Sequence, residues 1–168
     1  VVGKQYDHMV NDHPGYNPEN LAYVYIGAVD STGRAKLIEE TQRLPEVDAI
    51  TTCYNLPFWG ASGNNVYLPG DDRELFNIAE LYDVGNDYLN VLEIPIVEGQ
   101  YFTENTTSSQ EILVSRNFIE YMKPFADWKD GAVGKTVQIT GHDTKSESMP
   151  LFTIRGVFED FRLGSIAG

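Results

Sequence analysis

A single cysteine, Cys53, stands in a chain of 168 residues, so neither an internal disulfide framework nor a cysteine-built zinc site can form within it. Basic residues are scarce as well: 12 Lys and Arg face 25 Asp and Glu, a net charge of −13. Such a surface repels phosphate backbones and anionic membranes, and no basic cluster offsets it locally, which excludes nucleic acid as a partner. Long apolar runs are missing too. The longest, LAYVYIGAV at 21 to 29, is about half the roughly 20 residues a membrane-crossing helix needs, so the segment reads as soluble. The opening VVGKQYDHMV lacks the basic and apolar regions of a signal peptide. What the chain does hold is 42% hydrophobic and 12% aromatic residues, enough for a folded core.

Local patterns predict an α+β fold. LAYVYIGAV, rich in β-branched and aromatic residues, reads as a strand. Ser31, Thr32 and Gly33 make a turn with a capping hydroxyl, and RAKLIEETQRL at 34 to 44 reads as an amphipathic helix that Pro45 stops. A second strand centres on Ile50 to Tyr54, completing a β-α-β order, and GASGNN at 60 to 65 reads as a loop. LFNIAELYDVG at 75 to 85 suggests a third strand, and NDYLNVLEI at 86 to 94 a helix capped by Asn86 or Asp87. After the polar linker at 103 to 110, Ile112 to Val114 form a strand and Ser115 caps a helix carrying Phe118, Ile119 and Met122 as far as Pro124. KTVQIT at 135 to 140 and LFTIRGVFE at 151 to 159 are two further strands. The linker divides the chain into a β-α-β lobe at 1–102 and a smaller strand-helix-strand-strand lobe at 103–168, with mixed sheets.

No motif assembles into a reactive constellation. DGAVGKT at 130 to 136 ends like a phosphate-binding loop, but the required first glycine is Lys129 and a strand pattern follows, so it reads as a turn into a strand. Ser62 lacks the spacing of a nucleophile elbow. His8, His13 and His142 lie scattered in polar turns without ligand partners. Asp71, Asp72 and Glu74, and Asp127 with Asp130, lack the pattern of a calcium loop and read as solvated charge. Asn105-Thr106-Thr107 matches a glycosylation sequon by a pattern common by chance. Cys53 has no basic neighbour to activate it and reads as buried and inert. Of Tyr54, Phe58 and Trp59, at least two are expected in the core. No catalytic, cofactor-binding or metal-ligating residue is singled out.

Three ordered segments point further. YDVGNDYLNVLEIPIVEGQYFTEN, 82 to 105, carries Tyr88, Leu89, Leu92, Gly99 and Phe102. EILVSRNFIEYMKPF, followed by DGAVGKTVQI, carries Val133, Gly134 and Lys135. FTIRGVFEDFRLGSI, 152 to 166, carries Ile154, Gly156, Val157, Asp160, Phe161, Ser165 and Ile166. Together with RLPEVDAIT at 43 to 51 and KQYDHM near the start, they resemble, in the same order, the motifs of the MacB-like periplasmic core domain of FtsX-type ABC transporter permeases.

The resemblance implies a porter-like first lobe, incomplete in its C-terminal return, and a domain without catalysis, cofactor or metal. Its role would be to transmit motion, driven by ATP hydrolysis elsewhere, to substrate export or a partner protein. The implied location is the periplasmic face of the bacterial inner membrane, with the permease's own transmembrane helices, a separate ATPase subunit or domain, and a periplasmic adaptor or second copy as partners. The residues alone leave two other readings open. One is a freestanding hydrolase using paired carboxylates, the other a secreted binding module with an aromatic patch at Tyr54, Phe58 and Trp59.

Overall fold

The computed structural model describes residues 13–59, 63–103, 110–140 and 149–162. Its first helix, α1 (Ser31–Gln42), starts three residues before the expected Arg34 and is capped by Asp30 in place of a hydroxyl: the Asp30 carboxylate accepts the Gly33 N–H at 2.7 Å. No residue of α1 is buried. The run before it is a correction to the expected β-α-β order. Residues 21–26 form no strand, and Tyr23, Val24 and Tyr25 are 62%, 75% and 82% exposed, because no strand among the described residues pairs with them. The expected strand at 50–54 is likewise reduced to one bridge, Cys53 with Val84, flanked by Tyr54 N–H to Asp83 and Gly85 N–H to Thr52 bonds.

The sheet is built from β1 (Gly63–Tyr67), β2 (Phe76–Glu80), β3 (Ile96–Gly99), β4 (Glu111–Ser115), β5 (Thr136–Ile139) and β6 (Leu151–Phe158). β1 replaces the end of the expected loop. Its asparagines are tied across the sheet, Asn64 Nδ2 to the Ala79 carbonyl at 3.1 Å and the Asn65 N–H to Thr140 Oγ1 at 3.0 Å, so residues that favour turns in isolation serve here as pairing groups.

The order is β2-β1-β5-β6-β3, with β4 also on β6. Along one side β6 takes β5 at Leu151–Thr153 and β3 at Gly156–Phe158, both antiparallel; on its other side β4 runs parallel. Strands from 63–99 and from 111–158 therefore share one sheet, and the expected lobe boundary at 102/103 runs through it. A parallel strand covered on both faces reads as a continuous apolar run, which is what Ile112, Leu113 and Val114 are.

Two helices provide that cover. α2 (Tyr88–Val91) is shorter than expected; Asp87 makes no side-chain cap, and the chain leaves the helix as Glu93 turns left-handed at φ 57°. Tyr88, Leu89, Leu92 and Ile94 form a buried cluster against Leu113, Phe158 and Phe161. α3 (Arg116–Met122) starts as expected, with Ser115 Oγ accepting the Phe118 N–H at 3.1 Å. Met122, fully buried, packs on Val66, Val137 and Ile139, while Val114, Ile154 and Val157 meet Phe118, Ile119 and Trp128. Side chains 112 and 114 thus lie on the α3 side and 113 on the α2 side, as strand alternation requires. No described helix is long and apolar enough to cross a membrane.

Candidate functional site

Two of the glycines singled out in the three ordered segments, Gly99 and Gly156, face each other where β3 meets β6. Gly99, at φ 74°, lies so close to β6 that a Cβ there would collide with the Arg155 carbonyl oxygen and the Gly156 Cα. Gly156 answers it: a Cβ would fall 2.9 Å from the Gln100 carbonyl oxygen. The close approach is therefore mutual. Beside the crossing, Glu98 Oε1 accepts the N–H groups of Ala132 and Val133 at 2.8 and 3.0 Å, tying the turn that Gly134 closes at φ 81° to β3. Thr136 then opens β5, so the GKT run is a turn into a strand and no helix start faces a phosphate there.

Asp160 accepts the Asn117 N–H at 2.7 Å in the first turn of α3, and Phe161 meets Tyr16 edge-on at 6.3 Å. The amino-terminal segment is held by the same corner, through Arg162 N–H to Pro14 and Asn17 N–H to Leu92 bonds. Ser165 and Ile166 lie outside the described residues.

An apolar groove of about 690 Å3 opens beside this corner. Phe76, Ile78 and Leu81 line one side, Ile112 to Val114 the other, with Phe118 and Tyr121 of α3 between. Its charged lining residues are Glu80, Asp83, Glu111 and Asp160, all acidic. Arg155, from outside the lining, holds Glu111 through Nη1 at 3.0 and 3.2 Å while its Nε donates to the Tyr101 carbonyl at 2.7 Å. The groove was not legible in the sequence, because its walls come from strands more than 25 residues apart; the acids at 80 and 83 beside an apolar strand were the one signal available.

Tyr88 borders the groove with an orphaned group. It is 4% exposed, and its hydroxyl has no hydrogen-bond partner among the described residues. Burial, with Cys53, Tyr82 and Tyr16 nearby, pushes its pKa well above the tyrosine range; burial and Glu80 do the same for Tyr82. Above about pH 10 the unfolded chain therefore loses protons that the folded chain keeps, so stability falls as pH rises. Tyr88→Phe is expected to stabilise the fold by about 1 kcal/mol near neutral pH and to make the alkaline fall shallower. Urea unfolding across pH 7 to about 11 measures both; a destabilised variant would mean that the hydroxyl is satisfied.

The remaining candidates stay apart. His13 is exposed, its Nδ1 accepting the Gly15 N–H, while His8, His142, Ser62 and Asn105 lie outside the described residues. Asp71 is held by Arg73, whose hydrogen bonds lower its pKa to about 2, and Asp127 pairs with Lys129 at 2.9 Å. A paired-carboxylate mechanism needs an acid pushed up, the opposite direction to Asp71. No group of three or more potential metal-ligating side chains occurs among the described residues. Cys53 is half-buried and its thiol pKa is raised by burial, which disfavours the nucleophilic thiolate. One expectation is corrected: Tyr54 and Trp59 are 80% and 58% exposed, so two of the three aromatics stand outside the core. Trp59 stacks edge-on against Tyr23 at 6.1 Å instead, within the stretch that lacks a strand partner.

The described residues thus define an α+β domain: one mixed sheet with two helices packed on it and a close backbone approach between β3 and β6. Residues 4–168 match the model of the MacB-like periplasmic core domain, and the chain belongs to that family. Among solved structures, the periplasmic region of MacB from Actinobacillus actinomycetemcomitans is similar over 77% of this chain and 52% of that one, at 21% identity and a TM-score of 0.51. A domain of a protein assigned as a permease from Porphyromonas gingivalis is similar over 73% and 48%, at 18% identity and a TM-score of 0.46. The chain thus spans about half the length of either structure. Among curated proteins nothing matches.

Proposed function

We propose that this chain is the extracytoplasmic domain of an ABC transporter permease. In this reading it has no chemistry of its own and relays motion from ATP hydrolysis elsewhere to substrate export or to a partner protein. The family match over residues 4–168 carries the reading. The crossing at Gly99 and Gly156 supports it, since a relay needs one body stiff enough to move as a unit. The partners are the permease's own transmembrane helices, a separate ATPase subunit or domain, and a periplasmic adaptor or a second copy. The site of action is the periplasmic face of the inner membrane.

Within this reading the division between the lobes falls ahead of β1. The strands from 63 onward with α2 and α3 form the rigid lobe, and the stretch through Tyr23, Val24 and Tyr25 with α1 belongs to the porter-like lobe.

The test uses the whole permease with its ATPase in lipid vesicles. Spin labels go on Tyr25→Cys and Lys129→Cys in a Cys53→Ser background, at exposed positions of the two lobes. ATP turnover is expected to shift the distance distribution between the labels. A distribution unchanged while ATP is being hydrolysed would remove the relay.

A further inference from the structure

The register brings three strand ends to one level. Ile96 of β3 and Ser115 of β4 both pair with Phe158 of β6, so β3 begins where β4 and β6 end. Both covering helices meet this end of the sheet. α2 leads through Leu92 to Pro95 into β3, and α3 starts at Arg116, directly after β4. The two helices pack on opposite faces. Here β6 continues as the segment 159–162, and the amino-terminal segment 14–17 lies across it.

The two segments meet backbone to backbone. Gly15 is left-handed at φ 83°, and a Cβ there would fall 2.6 Å from the Asp160 carbonyl oxygen and 2.7 Å from the Phe161 Cα. Both are backbone atoms, so any other residue would have to part the segments. On either side of this contact the Pro14 carbonyl accepts the Arg162 N–H at 2.7 Å, and Tyr16 and Phe161 set their rings edge-on against the α2 cluster. Each segment then holds one helix. Segment 159–162 takes the start of α3, through Asn117 N–H to Asp160 at 2.7 Å and the Arg116–Glu159 ion pair at 3.2 Å. Segment 14–17 takes the end of α2, through Asn17 N–H to the Leu92 carbonyl at 2.9 Å. The ion pair is exposed and contributes little, so the contact at Gly15 is what joins the two halves.

We propose that this junction is a clamp: residues 14–17 and 159–162 move as one piece and tie α2 to α3 around the end of the sheet, with Gly15 as the positioning residue. Neither segment can slide past the other without breaking the Arg162 to Pro14 bond and pulling on a helix. A displacement of the amino-terminal segment therefore reaches both helices, and with them both faces of the sheet, in one step. The clamp is a property of the chain itself; its use as the point where motion enters the rigid lobe rests on the relay reading above.

Hydrogen exchange on the chain reads the clamp directly. Gly15→Ala is expected to speed exchange of the Asn17, Asn117 and Arg162 amides together, about tenfold or more, while the amides of the β4–β6 ladder stay within about twofold. Gly70→Ala is the control. Its φ is 79° with nothing within 4 Å of a Cβ, so it carries the same backbone strain without a crossing and leaves all three amides unchanged. Tyr16→Leu loses the ring pair alone and is expected to give the same pattern at about two- to tenfold; it carries the test if Gly15→Ala loosens the whole sheet. Faster exchange at Asn17 and Arg162 with Asn117 unchanged would show that segment 159–162 is held independently, and would overturn the clamp, as would three unchanged amides. The relay is read separately, on the whole permease with its ATPase, by the spin-label pair described above. There Gly15→Ala is expected to abolish the ATP-driven shift in distance at an unchanged rate of hydrolysis. A shift equal to that of the wild type would take the clamp out of the relay. A wild type without any shift would remove the relay reading, and the exchange result alone would then decide the clamp.

Discussion

Gly99→Ala is expected to destabilise the domain by about 3 kcal/mol, the sum of a left-handed backbone penalty and a backbone collision. The residue sits at φ 74°, where an L side chain is already strained, and its Cβ would lie against the Arg155 carbonyl oxygen and 2.9 Å from the Gly156 Cα. Neither obstacle is the end of a flexible side chain, so β3 and β6 would have to part. Gly134 provides the control. It has nearly the same φ, 81°, but nothing within 4 Å of where a Cβ would stand. Gly134→Ala is therefore expected to cost only the backbone term, about 1–2 kcal/mol, and the difference between the two urea midpoints isolates the crossing. Equal losses would mean that the β3 and β6 backbones are not in contact at this point.

Arg155→Met is expected to cost about 2–3 kcal/mol, because it strands two partners at once. The Glu111 carboxylate would lose both guanidinium bonds, and the Tyr101 carbonyl would lose its 2.7 Å donor. Arg155 and Glu111 side chains retain 16% and 29% exposure, so water recovers part of the loss and the figure lies below that for a fully buried pair. Removing both charges, as Arg155→Met with Glu111→Leu, is expected to recover most of the stability, since no unpaired carboxylate remains. The four-way comparison in urea gives the coupling directly. A double variant no more stable than Arg155→Met would place the loss in packing of the arginine stem. Because this pair links β4 to β6, the same experiment probes how firmly one groove wall is held.

Features that depend on near neighbours in the chain were legible in advance. Ser115 caps α3 because a hydroxyl at that position reaches a backbone N–H three residues on, and the apolar triplet before it is a strand with packing on both faces. The turn at Gly134 and the strands β5 and β6 were equally local. The failures share one cause. LAYVYIGAV has every property of a strand except a neighbouring strand among the described residues, and strand propensity measures fit to a pleated surface that must first exist. Asn64 and Asn65 look like loop residues until Ala79 and Thr140 arrive to bond them. Tyr54 and Trp59 carry a core composition but remain 80% and 58% exposed, and the ring contact of Trp59 is with Tyr23, itself 62% exposed.

The candidate groove shows the same division. Glu80, Asp83 and the run Ile112 to Val114 are visible in the sequence, but that β2 and β4, each with one strand partner among the described residues, line one space is not. By itself the sequence determined the α+β class, the α3 cap, the glycines that free the backbone and the family to which the chain belongs, because caps, periodicity and turns are settled within a few residues of chain. Only the tertiary structure decided which strands pair, which apolar segments remain exposed and which strands line one space. Those outcomes depend on which segments, distant in sequence, come within the roughly 4.8 Å of a shared hydrogen-bond ladder.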